Sequence, residues 1–468
     1  MWERFSYYGM RALLILFLTA QVAQGGLGFD VVKAGAIYGL YTSMVYMMSL
    51  PGGWVADRFL GQRRAVLLGG VFIALGNFCL ALPRVETFYL GLVVIVLGTG
   101  LLKPNISTMV GHLYQQGDAR RDAGFSLYYM GINLGAFLAP LACGYVGQRI
   151  DWHLGFGLAG AGMNLGLVQY LLGGRHLAPA SSIPVPAQSA DQAVRHRRQL
   201  RLGLLGLLGV PAALIALEAT GLASITAVGL SDAFGVVLLV TVVAVFCGML
   251  ISRGFSTAER KRILVITILF LAASLFWSSF EQAGSTLNLF AQQKTDNRLF
   301  GIGFPSSWFQ SLNAVFLVCL APAFAWLWIW LGEKDPSLAG KFALGLLFVG
   351  LGFAVMAGGA IAAASGTKVS PMWLTATYLF HTIGELCLSP VGLSAITKLA
   401  PARVAGLMMG AWFLSNSTGN YLGGRLASFY ESLPLETLFG AVAAFGLAAG
   451  LLLALFIGPM RRLTGEVR

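Results

Sequence analysis

Phe88-Tyr-Leu-Gly-Leu-Val-Val-Ile-Val-Leu-Gly-Thr-Gly-Leu-Leu-Lys103-Pro104-Asn-Ile-Ser107-Thr-Met-Val-Gly-His112 is the stretch on which the reading of the fold turns. As a helix it is about 37 Å long, enough to cross a hydrocarbon core of ~30 Å. A single lysine stands inside it, where a charge is costly and marks a functional position. Pro104 follows, a residue tolerated in a spanning helix where that helix lines a cavity.

Working outward, similar apolar segments lie near 3–23, 34–56 and 65–83 before it, and 124–147 and 153–172 after it. The stretch 173–201, with its prolines and Arg195, Arg197, Arg198 and Arg201, reads as a polar linker. Two plain segments follow at 202–219 and 230–251. Six more lie near 263–290, 306–331, 341–364, 370–399, 404–428 and 436–459. The pattern predicts an all-α polytopic membrane protein of 14 transmembrane helices, ordered six, two and six. The domains expected are a first bundle over 1–172, a linker with two extra helices over 173–262, and a second bundle over 263–468.

Composition agrees. The 468 residues are 57% hydrophobic and 11% charged, whereas a soluble domain carries about 25% charged residues. The 60 glycines suit close helix packing in lipid. The net charge of +12 would raise nucleic acid as a partner, but the basic residues sit in short runs between apolar segments. With the N-terminus cytoplasmic, 21 Lys/Arg fall in cytoplasmic stretches and six in external loops, the asymmetry of the positive-inside rule. Both termini are then cytoplasmic. The start of the chain resembles a signal peptide, but Glu3 is wrong for one and the run leads into further spans. The five cysteines are scattered singly and read as small buried hydrophobes.

Glu3, Arg4, Arg11, Lys103, Glu281, Glu385 and Arg425 fall within spans. On the first span, Glu3, Tyr7, Arg11 and Arg4 lie within roughly 100° of one another at 100° per residue, with Tyr8 at the margin. On the seventh, Trp277, Ser278, Glu281, Ser285 and Asn288 share a face by the same arithmetic. Glu385 has Ser389 one turn after it and His381 one turn before. Cations dominate the first half and carboxylates the second, so a cavity between them suits a zwitterion. Making or breaking an ion pair across it alters proton affinity, which couples protons to conformation. Alternatively, the charges pair merely to hold helices together. His381 reads as a packing residue, and Gly131/Gly135 and Gly162/Gly166 as helix contacts. Residues 115–122 read as a solvated loop. The inserted pair carries one ionisable residue, Glu218 near an end, and reads as structural. Paired histidine ligands, a Ser/His/Asp set and a ring of like charges are all missing from the spans, which argues against an enzyme, a metal site or a channel.

Several runs carry a family resemblance. Gly53-x-x-x-Asp57-Arg58 with Gly61-x-Arg63-Arg64 resembles the loop signature of the major facilitator superfamily. Glu3-Arg4-Phe5-Ser6-Tyr7-Tyr8-Gly9, Leu102-Lys103-Pro104-Asn105, Phe125 through Gly131-Ile132-Asn133-Leu134-Gly135, Phe276-Trp277 with Phe280-Glu281-Gln282, and Gly384-Glu385-Leu386-Cys387-Leu388-Ser389-Pro390 resemble the proton-dependent oligopeptide transporters within it. The resemblance implies the major facilitator fold, two pseudo-symmetric six-helix bundles, with the two extra helices of the bacterial members. It implies that Arg11, Lys103 and Asn133 hold a peptide's C-terminal side, and that Glu385, helped by Asn313, holds its amino terminus. Tyr7, Tyr8, Tyr46, Trp277 and Trp412 would line side-chain pockets. Glu3, with Arg4 beside it, and Glu281 would serve proton coupling. Arg11 with Glu281 would close the outer gate, and Lys103 with Glu385 the inner one. The family's first-helix motif is Glu-x-x-Glu-Arg, and the position of its first Glu falls just before Met1.

The function expected is import of di- and tripeptides with protons across a bacterial inner membrane. No cofactor, nucleic acid or obligate protein partner is expected; membrane lipids are. Another small solute, such as nitrate, a glucoside or a drug, is the alternative cargo.

Overall fold

The computed structural model describes residues 1–114, 120–177, 189–222, 224–252, 254–401 and 404–464. They are almost all helical. The first half holds α1 (Trp2–Thr19), α2 (Val31–Met47), α3 (Ser49–Val55), α4 (Gln62–Leu80), α5 (Val85–His112), α6 (Arg120–Arg149) and α7 (Trp152–Leu172). Two longer helices follow, α8 (Ala190–Ala219) and α9 (Ala227–Ile251). The second half holds α10 (Thr257–Phe280), α11 (Thr286–Gln293), α12 (Ser311–Leu331), α13 (Leu338–Ala363), α14 (Met372–Leu399), α15 (Ala405–Ala427), α16 (Leu435–Leu455) and the short α17 (Ile457–Thr464). A two-stranded antiparallel hairpin, β1 (Arg298–Leu299) with β2 (Ile302–Gly303), precedes α12.

Nine helical stretches among the described residues are long and apolar enough to cross a membrane. Two of the expected spans fall outside that count for identifiable reasons. α1 has 18 residues and carries Glu3, Arg4 and Arg11. α2 runs only 17 residues, because Pro51 cannot donate to the carbonyl four residues back and the helix is interrupted at Met48.

Three further sequence expectations are corrected. The arginine-rich part of 173–201 is not linker: α8 starts at Ala190, where the Ser189 side chain accepts from Gln192 N–H, a standard N-cap. The proline-rich residues 178–188 lie outside the described residues, as do 115–119 of the expected loop. The expected loop at 53–64 is mostly helical. α3 passes into a wider turn over Ala56–Leu60, and only Gly61, at φ +73°, breaks the path before α4, a conformation that favours glycine. Finally, α10 begins six residues before 263 because Ser256 and Glu259 form a reciprocal capping box.

Call the end of the molecule at Met1 proximal and the opposite end distal. At the distal end one continuous apolar core joins the halves. Leu13, Phe17, Phe88 and Phe156 of the first half belong to the same cluster as Phe290, Phe353 and Phe439 of the second. Proximally the cores are separate: Val66, Ile73, Leu102 and Met163 in one half, and Ile263, Phe270, Phe342 and Met408 in the other. In the distal seam the backbones of α2 and α15 approach closely: a Cβ on Gly424 would lie 2.3 Å from the Gly39 Cα. In the middle of that seam Ser43 and Ser417 each donate to the other's carbonyl, at 2.7 and 3.0 Å. In the first half α6 and α7 flank α1: side chains on Gly135, Gly162 or Gly166 would strike Met1, Phe5 and Trp2.

None of the described residues of α8 is buried. α9 packs against α2 of the first half and against α10 and α15 of the second. Phe246 packs on Phe270, Phe234 on Tyr421, and Asp232 pairs with Arg425 at 3.0 Å. Asp232 corrects the expectation that Glu218 is the pair's one ionisable residue.

Candidate functional site

α1 carries Arg11 to the centre of the molecule, where its side chain is buried. One terminal nitrogen lies 2.5 Å from the Glu281 carboxylate and donates to the Glu281 carbonyl at 3.2 Å. Its Nε donates to the Tyr38 hydroxyl on α2 at 2.8 Å. Glu281 is not in the middle of a continuous helix, as the seventh-span reading supposed. α10 ends at Phe280, Glu281–Gly284 form a tight 3₁₀ turn, and Ser285, at φ −125° and ψ −95°, interrupts the path before α11. The shared face expected for Trp277 through Asn288 does not survive that break. Asn288 instead donates across the halves to the Ala12 carbonyl at 2.9 Å.

Glu385 stands on α14 and accepts from the Asn313 amide of α12 at 2.9 Å; the same amide reaches the Thr382 hydroxyl at 3.1 Å. One turn away His381 is buried and packs its ring against Phe353 and Phe280. On the opposing half the Lys103 ammonium sits 3.3 Å from the centroid of the Tyr46 ring, a cation–π contact. Glu3 and Arg4 pair with each other at 2.5 Å, so the first turn of α1 is a neutral couple. The Arg4 guanidinium lies 5.2 Å from the Tyr7 ring, and Tyr7 and Tyr8 meet edge to face. Trp277 and Trp412 are buried within the second half, and the Asn133 amide donates to its own helix at Tyr129 O.

Two of the expected pairs are therefore in opposite conditions. Arg11–Glu281 is formed; Lys103 and Glu385 make no ion pair with each other among the described residues. The formed pair lies toward the distal end, where the core is shared, and the unformed one toward the proximal end, where the halves have separate cores.

The loop motif lies apart from these charges. Arg58 donates toward His196 of α8 at 3.2 Å and stacks over Trp54, while Arg63 offers its carbonyl to Tyr170. Burial pushes the Asp57 carboxyl up, and the adjacent Arg58 opposes the shift. A groove of about 580 Å³ lined by Met1, Phe5, Leu138, Tyr145 and Trp308, among others, is apolar and holds none of the charged residues.

Sequence reasoning missed Tyr38, Ser43, Ser417 and Asp232. Tyr38 and the serines are uncharged residues in apolar helices, and nothing in their spacing marks them. Asp232, an acid inside an apolar run, was detectable.

A profile of the POT family matches residues 63–445. The chain is 42% identical to the peptide transporter YePEPT of Yersinia enterocolitica, over 100% of this chain and 94% of that one. It is 36% identical to a di-/tripeptide transporter of Lactococcus lactis, over 100% and 95%. A crystal structure of a peptide transporter POT in complex with sulfate superimposes with a TM-score of 0.92 at 41% identity, covering 99% of this chain and 93% of that one. With this architecture, and with relatives that are transporters and not enzymes, the chain belongs to the POT family and is a multi-pass membrane transporter.

Proposed function

We propose that the chain is a proton-coupled symporter that imports di- and tripeptides by alternating access across a bacterial inner membrane. The Yersinia and Lactococcus relatives, named as peptide and di-/tripeptide transporters, support the cargo. In this reading the 14 spans are arranged six, two and six, in bundles over 1–172 and 263–468 with 173–262 between, and both termini are cytoplasmic. The proximal end then faces the cytoplasm and the structure is inward-open.

The observation that carries the reading is the opposite condition of the two charge pairs. The halves are sealed at the Arg11–Glu281 end by an ion pair and a shared apolar core, whereas at the Lys103–Glu385 end their cores are separate and that pair is not formed. An empty, inward-open carrier is expected to have that arrangement. Arg11, Lys103 and Asn133 hold the peptide carboxylate. Glu385, oriented by Asn313, holds the amino group, with Tyr7, Tyr8, Tyr46, Trp277 and Trp412 around the side chains. Glu281, and the Glu3–Arg4 couple, take part in proton movement.

Glu385→Gln tests the amino-group assignment. It keeps the shape and the bond from Asn313 but removes the charge. Removing one partner of a buried charged contact costs about 2–5 kcal/mol, so dipeptide binding should weaken at least tenfold, measured by competition uptake. An N-acetylated dipeptide, which lacks the ammonium, should bind the unmodified protein poorly. Equal binding of free and acetylated dipeptides would remove Glu385 from that role.

A further inference from the structure

The Arg11 guanidinium divides its contacts between the halves. Its terminal nitrogen serves Glu281 on the opposing half, through carboxylate and carbonyl. Its Nε serves Tyr38, on α2 of its own half, at 2.8 Å. Tyr38 is 1% exposed. The turn that carries Glu281 closes directly onto the phenol, because a Cβ on Gly284 would lie 2.0 Å from the Tyr38 hydroxyl oxygen. From the other side Tyr378 of α14 donates to the Ala283 carbonyl at 3.3 Å, bracing the same turn without touching the guanidinium.

We infer that Tyr38 is a positioning residue of the proton-coupled gate: its oxygen accepts from the Nε–H of a dry Arg11 and so sets how acidic the distal side must become before the gate opens. The inference rests on the symporter reading above. A guanidinium presents its donors in a rigid fork, and a buried charged donor without an acceptor is penalised heavily. In the sealed state Arg11 and Glu281 are 4% and 3% exposed, so water cannot replace the phenol oxygen. When the distal end opens, water can. Losing the hydroxyl therefore destabilises the sealed state selectively. The pair then yields at less acidic pH.

The other ionisable groups acting on this site are Tyr7 and Tyr8 of α1, Tyr46 of α2, Lys103 of α5, and Tyr378 and Glu385 of α14. Tyr38→Phe leaves all of them in place.

The full chain in proteoliposomes, with internal pH fixed and external pH varied, provides the test. A tenfold loss in the sealed-to-open ratio corresponds to one pH unit. Tyr38→Phe should therefore move the midpoint of dipeptide uptake about one unit toward alkaline pH. The midpoint, unlike the rate, does not depend on how much protein folds. Tyr378→Phe should keep the wild-type midpoint. An unmoved or acid-shifted midpoint in Tyr38→Phe overturns the inference, as does an equal alkaline shift in Tyr378→Phe. If the unmodified protein shows no gradient-driven uptake, the symporter reading fails first. If it does and Tyr38→Phe matches it, only the role of Tyr38 fails.

Discussion

Glu281→Gln is expected to lose uphill dipeptide uptake driven by a pH gradient while retaining peptide-for-peptide exchange. Glu281 is the carboxylate of the second half that meets the first, 2.5 Å from Arg11 in a buried setting. Around it the seam is held by the shared apolar core, the Asn288 bond to Ala12 and the glycine contact of α2 with α15. In the proposed cycle its proton occupancy controls this charged lock on the seam. Protonation removes one partner's charge. What remains is the bond from Arg11 to the Glu281 carbonyl and the bond to Tyr38, too little to hold the pair as tightly, and the distal end opens to admit peptide. Return of the carboxylate after release to the cytoplasm reseals it. Glutamine copies the protonated form permanently, so uptake against a gradient should fall to background. Exchange needs no net proton movement and should persist. Both modes are measured in one proteoliposome preparation. Retained gradient-driven accumulation would put the coupling proton elsewhere, with Glu3 the next candidate.

Lys103→Ala should likewise stop proton-driven uptake. The lysine immediately precedes Pro104 of α5, is held against Tyr46 at 3.3 Å, and has the Glu3–Arg4 couple within electrostatic reach. Of the three site cations Arg4, Arg11 and Lys103, it is the one that makes no ion pair among the described residues, since Arg4 is held by Glu3 and Arg11 by Glu281. It is thus the residue available both to a peptide carboxylate and to Glu385 when the proximal end closes. Removing it takes away the substrate's anchor and the partner for closure together. The expected loss of uptake is at least about tenfold, in line with ~2–5 kcal/mol for a buried charged contact. Full gradient-driven activity in this variant would exclude Lys103 from the mechanism.

The helical architecture was legible because a bilayer imposes it: apolar runs of spanning length can be read directly from the order of residues. The charges within those runs were legible for the same reason, since lipid makes each of them costly. What could not be read was how the helices bend and what their polar but uncharged residues touch. A strict 100° step carries Glu281 and Asn288 onto one face only if nothing interrupts the helix, and the 3₁₀ turn over Glu281–Gly284 followed by Ser285 does interrupt it. The helical start of α8 was obscured because its first turns are polar and follow a proline-rich stretch. Which pair is formed is a property of the relative placement of the halves. Two such placements of one sequence differ by only a few kcal/mol, and no local pattern encodes the choice. Asp232 is a different case. It stood in plain view inside an apolar run and was passed over.

The central claim, that movement of peptide and movement of protons are one process, is tested most directly with purified protein in sealed proteoliposomes. Dipeptide uptake is measured with the exterior made acidic and then with internal and external pH equal, the membrane potential being clamped in both. Accumulation above the external concentration under the gradient, and mere equilibration without it, is the predicted result. Equal accumulation in the two conditions, or none in either, would contradict the account.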